Sequence, residues 1–529
     1  MNNGFQQFLN RVAPEIAHRL TAVNEAYWRL TTRGAPEDEE AYIRQKGALL
    51  ELFSNREDFE TLRTFRDSGE ITDQLQARQL TILYHHFLRN QIDRESTREL
   101  VRREAEIESR FTNFRAAYQG RKVSNNDLAE ILLREKRSDK RREAWEAGKQ
   151  IGREVAEKIR DLVKFRNRIA RNLGFADFYS MSLSLEEMDE TELFATLKNL
   201  EELTGGPFAG MKSELDETLA AGFGVRKEEI QPWHYSDPFF QEVPPTGEAG
   251  LDGYFAGKGI VELGRRFYRG IGLEVDDILA RSDLFEREGK DQHAYSTDID
   301  REGDVRVLTN LRPTELSMNT LLHELGHAVY SKYIDRQLPY LLRDEPHLFV
   351  TEAIAMMMGR LTRDPDWLKK VLNLKAEEVA QLTPALAWRL RLGELIFIRW
   401  GLVVKDGERE LYRDPDQDLD TLWWDLAERL QYVKRPEGRK APDWAAKIHI
   451  GTTPVYYQNY ILGAVAASQI QAAIQREVGA GGIAGNREAG RFLVEKIFRP
   501  GAAGAWNDLL RKATGQPLTP EYFVKQFVA

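Results

Sequence analysis

Two histidines and a glutamate in "NTLLHELGHAVYSK" (319–332) have the types and the spacing of a metal site. His323 and His327 stand four apart, so on a helix both imidazoles can reach one ion. Met318, Leu321, Leu322, Leu325, Ala328 and Val329 take the opposite, apolar face. Imidazole and carboxylate suit one Zn²⁺ ion in a tetrahedral shell. Glu324 follows the first histidine and points beside the ion, where it can act as a base on a zinc-bound water. With nine histidines in the chain, chance supplies this pentapeptide in roughly one such chain in a hundred. The alternative is a polar stripe on an ordinary helix.

Two histidines need a third ligand. "VTEAIAMMMGRL" (350–361) is an apolar helix interrupted by one acid, Glu352. A carboxylate there is costly unless it is paired or metal-bound, so it is either a salt-bridged core glutamate or the ligand. Three protein ligands leave the fourth position open for catalysis. Later, "KIHIGTTPVYYQNYILG" (447–463) crowds Lys447, His449, Tyr456, Tyr457 and Tyr460 into one stretch. Tyrosine hydroxyls are neutral donors suited to a developing oxyanion, although an aromatic run also serves as core.

Helices must carry these groups. Apolar residues recur at threes and fours over 4–32, 37–53, 71–90, 94–118, 126–173 and 189–221. Glycine and proline punctuate the runs at "TTRGAPEDEE", "DSGEIT" and "RNLGFADF". The period is lost in "QPWHYSDPFFQEVPPTGEAG" (231–250), read as a loop between an N-terminal helical half, 1–230, and a catalytic half, 231–529. "DQHAYSTDID" (291–300) and "GDVRVLTNL" (303–311) read as two short strands that lead into the HELGH helix. "GAGGIAGNREAG" (479–490) reads as a flexible loop. The class is mostly α with a small β-sheet near the zinc helix.

The bulk composition narrows the function. A chain of 529 residues with 42% hydrophobic and 30% charged residues buries a large core. The net charge of −9 argues against nucleic acid as a partner. There is no cysteine, so disulfides are excluded and any metal is held by His, Asp or Glu. No run approaches the ~18 apolar residues of a membrane span, and the N-terminus lacks the apolar core of a signal peptide. The expected location is the cytoplasm, or the periplasm or exterior if a leader has been removed.

Taken together, these stretches resemble the angiotensin-converting-enzyme family of zinc peptidyl-dipeptidases, in the gluzincin group with thimet oligopeptidase and the oligoendopeptidases. "VNEAYWRLTT" (23–32) is similar to the family's early helix, and "HAYSTDID" to the strand before its zinc helix. "HELGH" with "TEAIA" is similar to its ligand set, and "LWWDL" (422–426) and "KIHIGTTPVYYQNY" to its late helices. The resemblance implies an ellipsoidal helical body with a deep central cleft and zinc at its floor. It assigns zinc to His323, His327 and Glu352, and the general base and acid to Glu324. It gives His293 and Ala294 to peptide backbone, His449 and Tyr460 to the transition state, and Lys447 and Tyr457 to a substrate's terminal carboxylate.

Departures from the pattern are informative. Asn459 and Ala427 stand where the family places chloride-site arginines, with Arg429 close by, which argues against chloride activation. Tyr235 stands where a carboxylate-binding glutamine is expected, and Met356 where an acid supports the zinc histidines. The expected activity is zinc-dependent hydrolysis of oligopeptides with release of C-terminal dipeptides. An oligoendopeptidase of the same group, or a peptide-binding protein with a relic zinc site, are the competing readings. Oligomeric state has no signature in the sequence.

Overall fold

The computed structural model describes residues 3–245, 250–479 and 482–528. The chain is mostly α, with two two-stranded antiparallel sheets among the described residues. None of the helices is long and apolar enough to cross a membrane, again among the described residues. The chain forms two compact units. One comprises Met1–Gln91, Gly250–Pro384 and Leu462–Tyr522; the other comprises Ile92–Ala249, Ala385–Ile461 and Phe523–Ala529.

The first unit opens on helix Asn3–Arg33. Phe5, Phe8, Leu9, Val12 and Ile16 form its buried stripe, packed with Phe53, Phe59, Leu62, Leu83 and Phe87 from the next three helices. Those helices are Pro36–Phe53, Arg56–Ser68 and Gln74–Arg89. The helix Arg56–Ser68 escapes the periodicity reading because its apolar residues, Phe59, Leu62 and Phe65, are outnumbered by charges. Asn55 caps it by accepting the amide of Asp58 at 2.9 Å.

The far end of helix Asn3–Arg33 holds the hairpin that precedes the metal residues. Strand Tyr295–Asp298 pairs antiparallel with Val305–Leu308, Tyr295 opposite Leu308. Asn24 donates to the carbonyls of Asp298 and Ile299, both at 3.1 Å. Trp28 packs on Ile299 and Leu308, and Thr31 shares a 2.6 Å hydrogen bond with the Tyr295 hydroxyl. Below the hairpin, the buried ammonium of Lys290 donates to the carbonyls of Asp283, Phe285 and Thr309 and to the Asp283 carboxylate, at 2.5–3.0 Å. The strands are shorter than the stretches 291–300 and 303–311 expected to form them; His293 lies in a bend, and Ala294 follows it directly before the first strand.

In the second unit the long run expected over 126–173 divides into Asn125–Arg134, Ser138–Gly148 and Gln150–Asn172. The run expected to reach residue 118 ends at Asn113. Ala116–Tyr118 then pairs with Arg121–Val123 around Gln119 and Gly120, both at positive φ (49° and 74°). That backbone matches a two-residue type I′ hairpin. Three-residue strands are too short to register as a period. The loop read over 479–490 ends in helix Arg487–Phe492, and its residues 480 and 481 lie outside those described, as do 246–249 of the loop 231–250.

Candidate active site

The HELGH helix spans Glu315–Lys332. Thr314 caps it by accepting the Ser317 amide at 3.2 Å. Its apolar face, Met318, Leu321, Leu322, Leu325, Ala328 and Val329, is wholly buried, each large side chain contributing about 1.5–3 kcal/mol. The opposite face lies against helix Leu348–Arg360, which runs antiparallel to it. Glu315 accepts from Thr362 at 2.7 Å and pairs with Arg363, Asn319 donates to the carbonyl of Gly359 at 2.8 Å, and His327 meets Thr351. Between them the backbones touch at Gly326, where a Cβ would come within 2.9 Å of the Cα of Ala355.

This approach brings the three candidate ligands together. Nε2 of His323 and Nε2 of His327 each lie 3.6 Å from an oxygen of Glu352. One ligand atom from each residue falls within 4.8 Å of the others, the group among the described residues that could hold a metal. Zn²⁺ with bonds of about 2.0–2.1 Å has ligand atoms about 3.3 Å apart in a tetrahedral shell, so the donor set and the spacing fit that ion. The side chains are 26%, 18% and 12% exposed, in the order His323, His327, Glu352.

Burial and mutual charge set the protonation of the group. Burial pushes His323 down to about 4, with Glu352 opposing it. Burial also works against the His327 cation, but Glu352 and Glu324 outweigh it and move this imidazole upward. The two rings are equally far from Glu352 yet shift in opposite directions. Glu352 stays below the usual carboxylate range, because the two imidazoles outweigh its burial. Glu324, 7% exposed, is pushed up to about 7 by burial, against the pull of His327.

The acid missing at Met356 is not replaced in kind. Met356 packs its sulfur toward Gly463, as Glu352 packs its methylenes. Thr351, 5% exposed, instead lies 2.8 Å from Nδ1 of His327 through its Oγ1. With Nδ1–H donating to this hydroxyl, the Nε2 lone pair is left facing the ligand position. His293 is almost wholly exposed; Asp291 accepts from its backbone amide and lies 3.3 Å from its ring.

The second unit gathers its own candidates. Lys447 donates to Oε1 of Gln241 at 2.9 Å, with the rings of Trp400, Tyr457 and Phe239 at 5.5–5.7 Å. Burial lowers Lys447 to about 8. Nothing in the local sequence marks Gln241 as a partner of this lysine. It sits on a loop whose shape comes from Asp237, whose carboxylate accepts the amides of Phe239, Gln241 and Glu242 at 2.8–3.2 Å. Tyr235 is turned elsewhere: its hydroxyl donates to Asp216 at 2.9 Å and accepts from Lys212 at 2.8 Å. Arg429 is engaged by Glu201 and Asp406.

Tyr457 is 5% exposed and its hydroxyl accepts from the Trp400 indole at 3.0 Å. Its ring lies 5.3 Å from His449 and 5.5 Å from Tyr460, so it stands between the two residues expected to act as a pair. Burial, with Lys447 adding to it, lowers His449 to about 4, so the ring is neutral near pH 7. Just before these tyrosines Val455 has φ 55°, a conformation that costs on the order of 1–3 kcal/mol for a β-branched residue.

Residues 2–203 and 252–525 match the peptidase family M2, described as angiotensin-converting enzyme. Angiotensin-converting enzyme of Rattus norvegicus is 25% identical over 236 residues, covering 42% of this chain and 18% of that one. The enzyme of Haematobia irritans exigua is 23% identical over 286 residues, covering 50% of this chain and 44% of that one. The enzyme of Mus musculus is 25% identical over 237 residues, with shares of 42% and 18%. The matches thus span less than half the length of each of these relatives. With most of its length accounted for by one family, the chain belongs to the angiotensin-converting enzyme family.

Proposed function

We propose that this chain is a zinc metallopeptidase that cleaves oligopeptides and releases dipeptides from their C-terminus. The observation that carries the reading is the convergence of His323, His327 and Glu352, with Glu324 beside them, in a chain of this family. These three residues would hold the zinc ion. Bound there, the ion supplies a Lewis acid that polarises a carbonyl and acidifies water.

The remaining roles fall to the chain's own groups. Glu324, buried and raised toward neutrality, takes a proton from the attacking water and returns it to the leaving amine. Thr351 keeps His327 in the ligating tautomer. His293, exposed in a bend, and Ala294, half-buried just before the hairpin, offer backbone groups to an extended peptide. Tyr460 donates to the developing oxyanion and His449 accompanies it. Lys447 and Tyr457, with Gln241 bonded to the same ammonium, take the terminal carboxylate. Chloride dependence is not expected, given Asn459, Ala427 and the engaged Arg429.

Metal analysis of the purified chain, together with digestion of a peptide library read by mass spectrometry, tests the reading. One zinc per chain and a ladder of C-terminal dipeptides are expected, with a large loss of cleavage when the C-terminus is amidated. Equal cutting of amidated peptides would make the chain an endopeptidase. Tight peptide binding with no cleavage by the zinc-loaded chain would make it a binding protein.

A further inference from the structure

Val455, 2% exposed, is the residue at φ 55° in the turn that separates His449 from the tyrosines. A branched side chain remains in the left-handed region only where its surroundings hold it there. Two buried side chains do so. Glu408, 2% exposed, on helix Ala376–Arg413, accepts the Val455 amide at 2.8 Å. Gln458, with no exposed surface, donates its side-chain amide to the Val455 carbonyl. The helix that carries Glu408 holds the same segment at two further points. Trp400 donates to the Tyr457 hydroxyl, and Gly401 lies so close to Ile461 that a Cβ would approach its side chain to 2.7 Å.

A buried carboxyl needs a reason to be retained in a core, since its desolvation is unfavourable. Here the partner is the amide of a residue that would otherwise relax. We propose that Glu408 and Gln458 are positioning residues that lock Val455 in its strained turn and thereby fix where His449 stands relative to Tyr457 and Tyr460. Neither touches the reacting atoms. Their effect on turnover rests on the peptidase reading above, whereas their effect on the turn does not.

The test uses the full-length chain in five forms: wild type, Glu408→Ala, Glu408→Gln, Gln458→Leu and the double variant Glu408→Ala/Val455→Gly. Two measurements are made: amide hydrogen exchange over the segment 450–461, and steady-state kinetics, giving kcat and KM, on a peptide with a free C-terminus. Glu408→Ala should speed exchange in the turn and lower kcat about tenfold, or about 1.4 kcal/mol in the barrier. Gln458→Leu should act in the same direction. Glu408→Gln keeps an acceptor oxygen and should remain near wild type. Adding Val455→Gly to Glu408→Ala should restore slow exchange and most of kcat, because glycine takes positive φ without strain. Zinc content should be equal in all five.

Unchanged exchange in both Glu408→Ala and Gln458→Leu, or failure of Val455→Gly to restore either quantity, overturns the proposal. A fall in zinc content that tracks kcat also overturns it. Should the wild type cleave no peptide, the peptidase reading fails and the exchange arm alone decides: acceleration reversed by Val455→Gly supports the clamp, and its absence removes it.

Discussion

Glu324 is nearly buried and adjacent in sequence to one candidate ligand, while its own carboxylate is outside the three-residue group. Replacing it should therefore separate metal binding from turnover. Glu324→Gln is expected to bind zinc as the wild type does, read by metal analysis, and to lose activity by a factor on the order of 100 to 10,000, the usual worth of a general acid–base group. Equal zinc with equal activity would remove Glu324 from the mechanism. The three residues that converge here were legible in the sequence for a simple reason. A helix places positions four apart on one side, and a lone acid in an apolar helix stands out. Thr351 and Gln241 were not legible. A threonine hydroxyl behind a histidine and an amide reaching a lysine from a distant loop are products of tertiary contact, and nothing in their local sequence sets them apart.

At the scale of elements, the metal group depends on how closely two helices approach. Gly326 permits that approach, because its neighbour across the gap is backbone, the Cα of Ala355, and cannot swing aside. In Gly326→Ala two effects compete. Alanine gains up to about 1 kcal/mol of helix propensity, while overpacking a tight contact costs about 1–3 kcal/mol. The second should win. The variant is expected to unfold at lower urea and to bind zinc more weakly, as followed by chelator competition. A rise in stability with unchanged affinity would show that the helices have room to spare. Long periodic helices such as Asn3–Arg33 and Glu190–Phe223 were evident from their apolar spacing. Arg56–Ser68, the hairpin at Ala116–Val123 and the breaks after Arg134 and Gly148 were not. Caps, positive-φ turns and a one-residue break such as Lys149 interrupt a pattern without changing its hydrophobic period.

At the scale of the whole molecule, each compact unit is assembled from three separate stretches of chain. Such interleaving leaves no local trace in the sequence, because it is set by contacts between residues far apart. Global stability is where buried ionisable groups show themselves. Burial raises Glu408 from 4.5 to about 8, so the folded chain retains a proton that the unfolded chain releases. Its stabilising contribution is complete below about pH 4.5 and is lost as the pH rises through 8. Lys149 has the opposite sign: burial lowers it from 10.5 to about 7, so stability rises between those values. Comparing wild type with Glu408→Gln cancels the lysine. The variant should gain on the wild type by a few kcal/mol between pH 5 and pH 8.5 in urea unfolding, and a constant difference would show that Glu408 is ionised in the fold.

The fully enclosed ammonium of Lys290, surrounded by three carbonyls and a carboxylate, has one more consequence. An amine-reactive reagent cannot reach it while the hairpin stands. Acylation of Lys290, quantified against surface lysines by peptide mapping, should therefore proceed only through opening of the segment that carries His293, and its rate would serve as a clock for that motion.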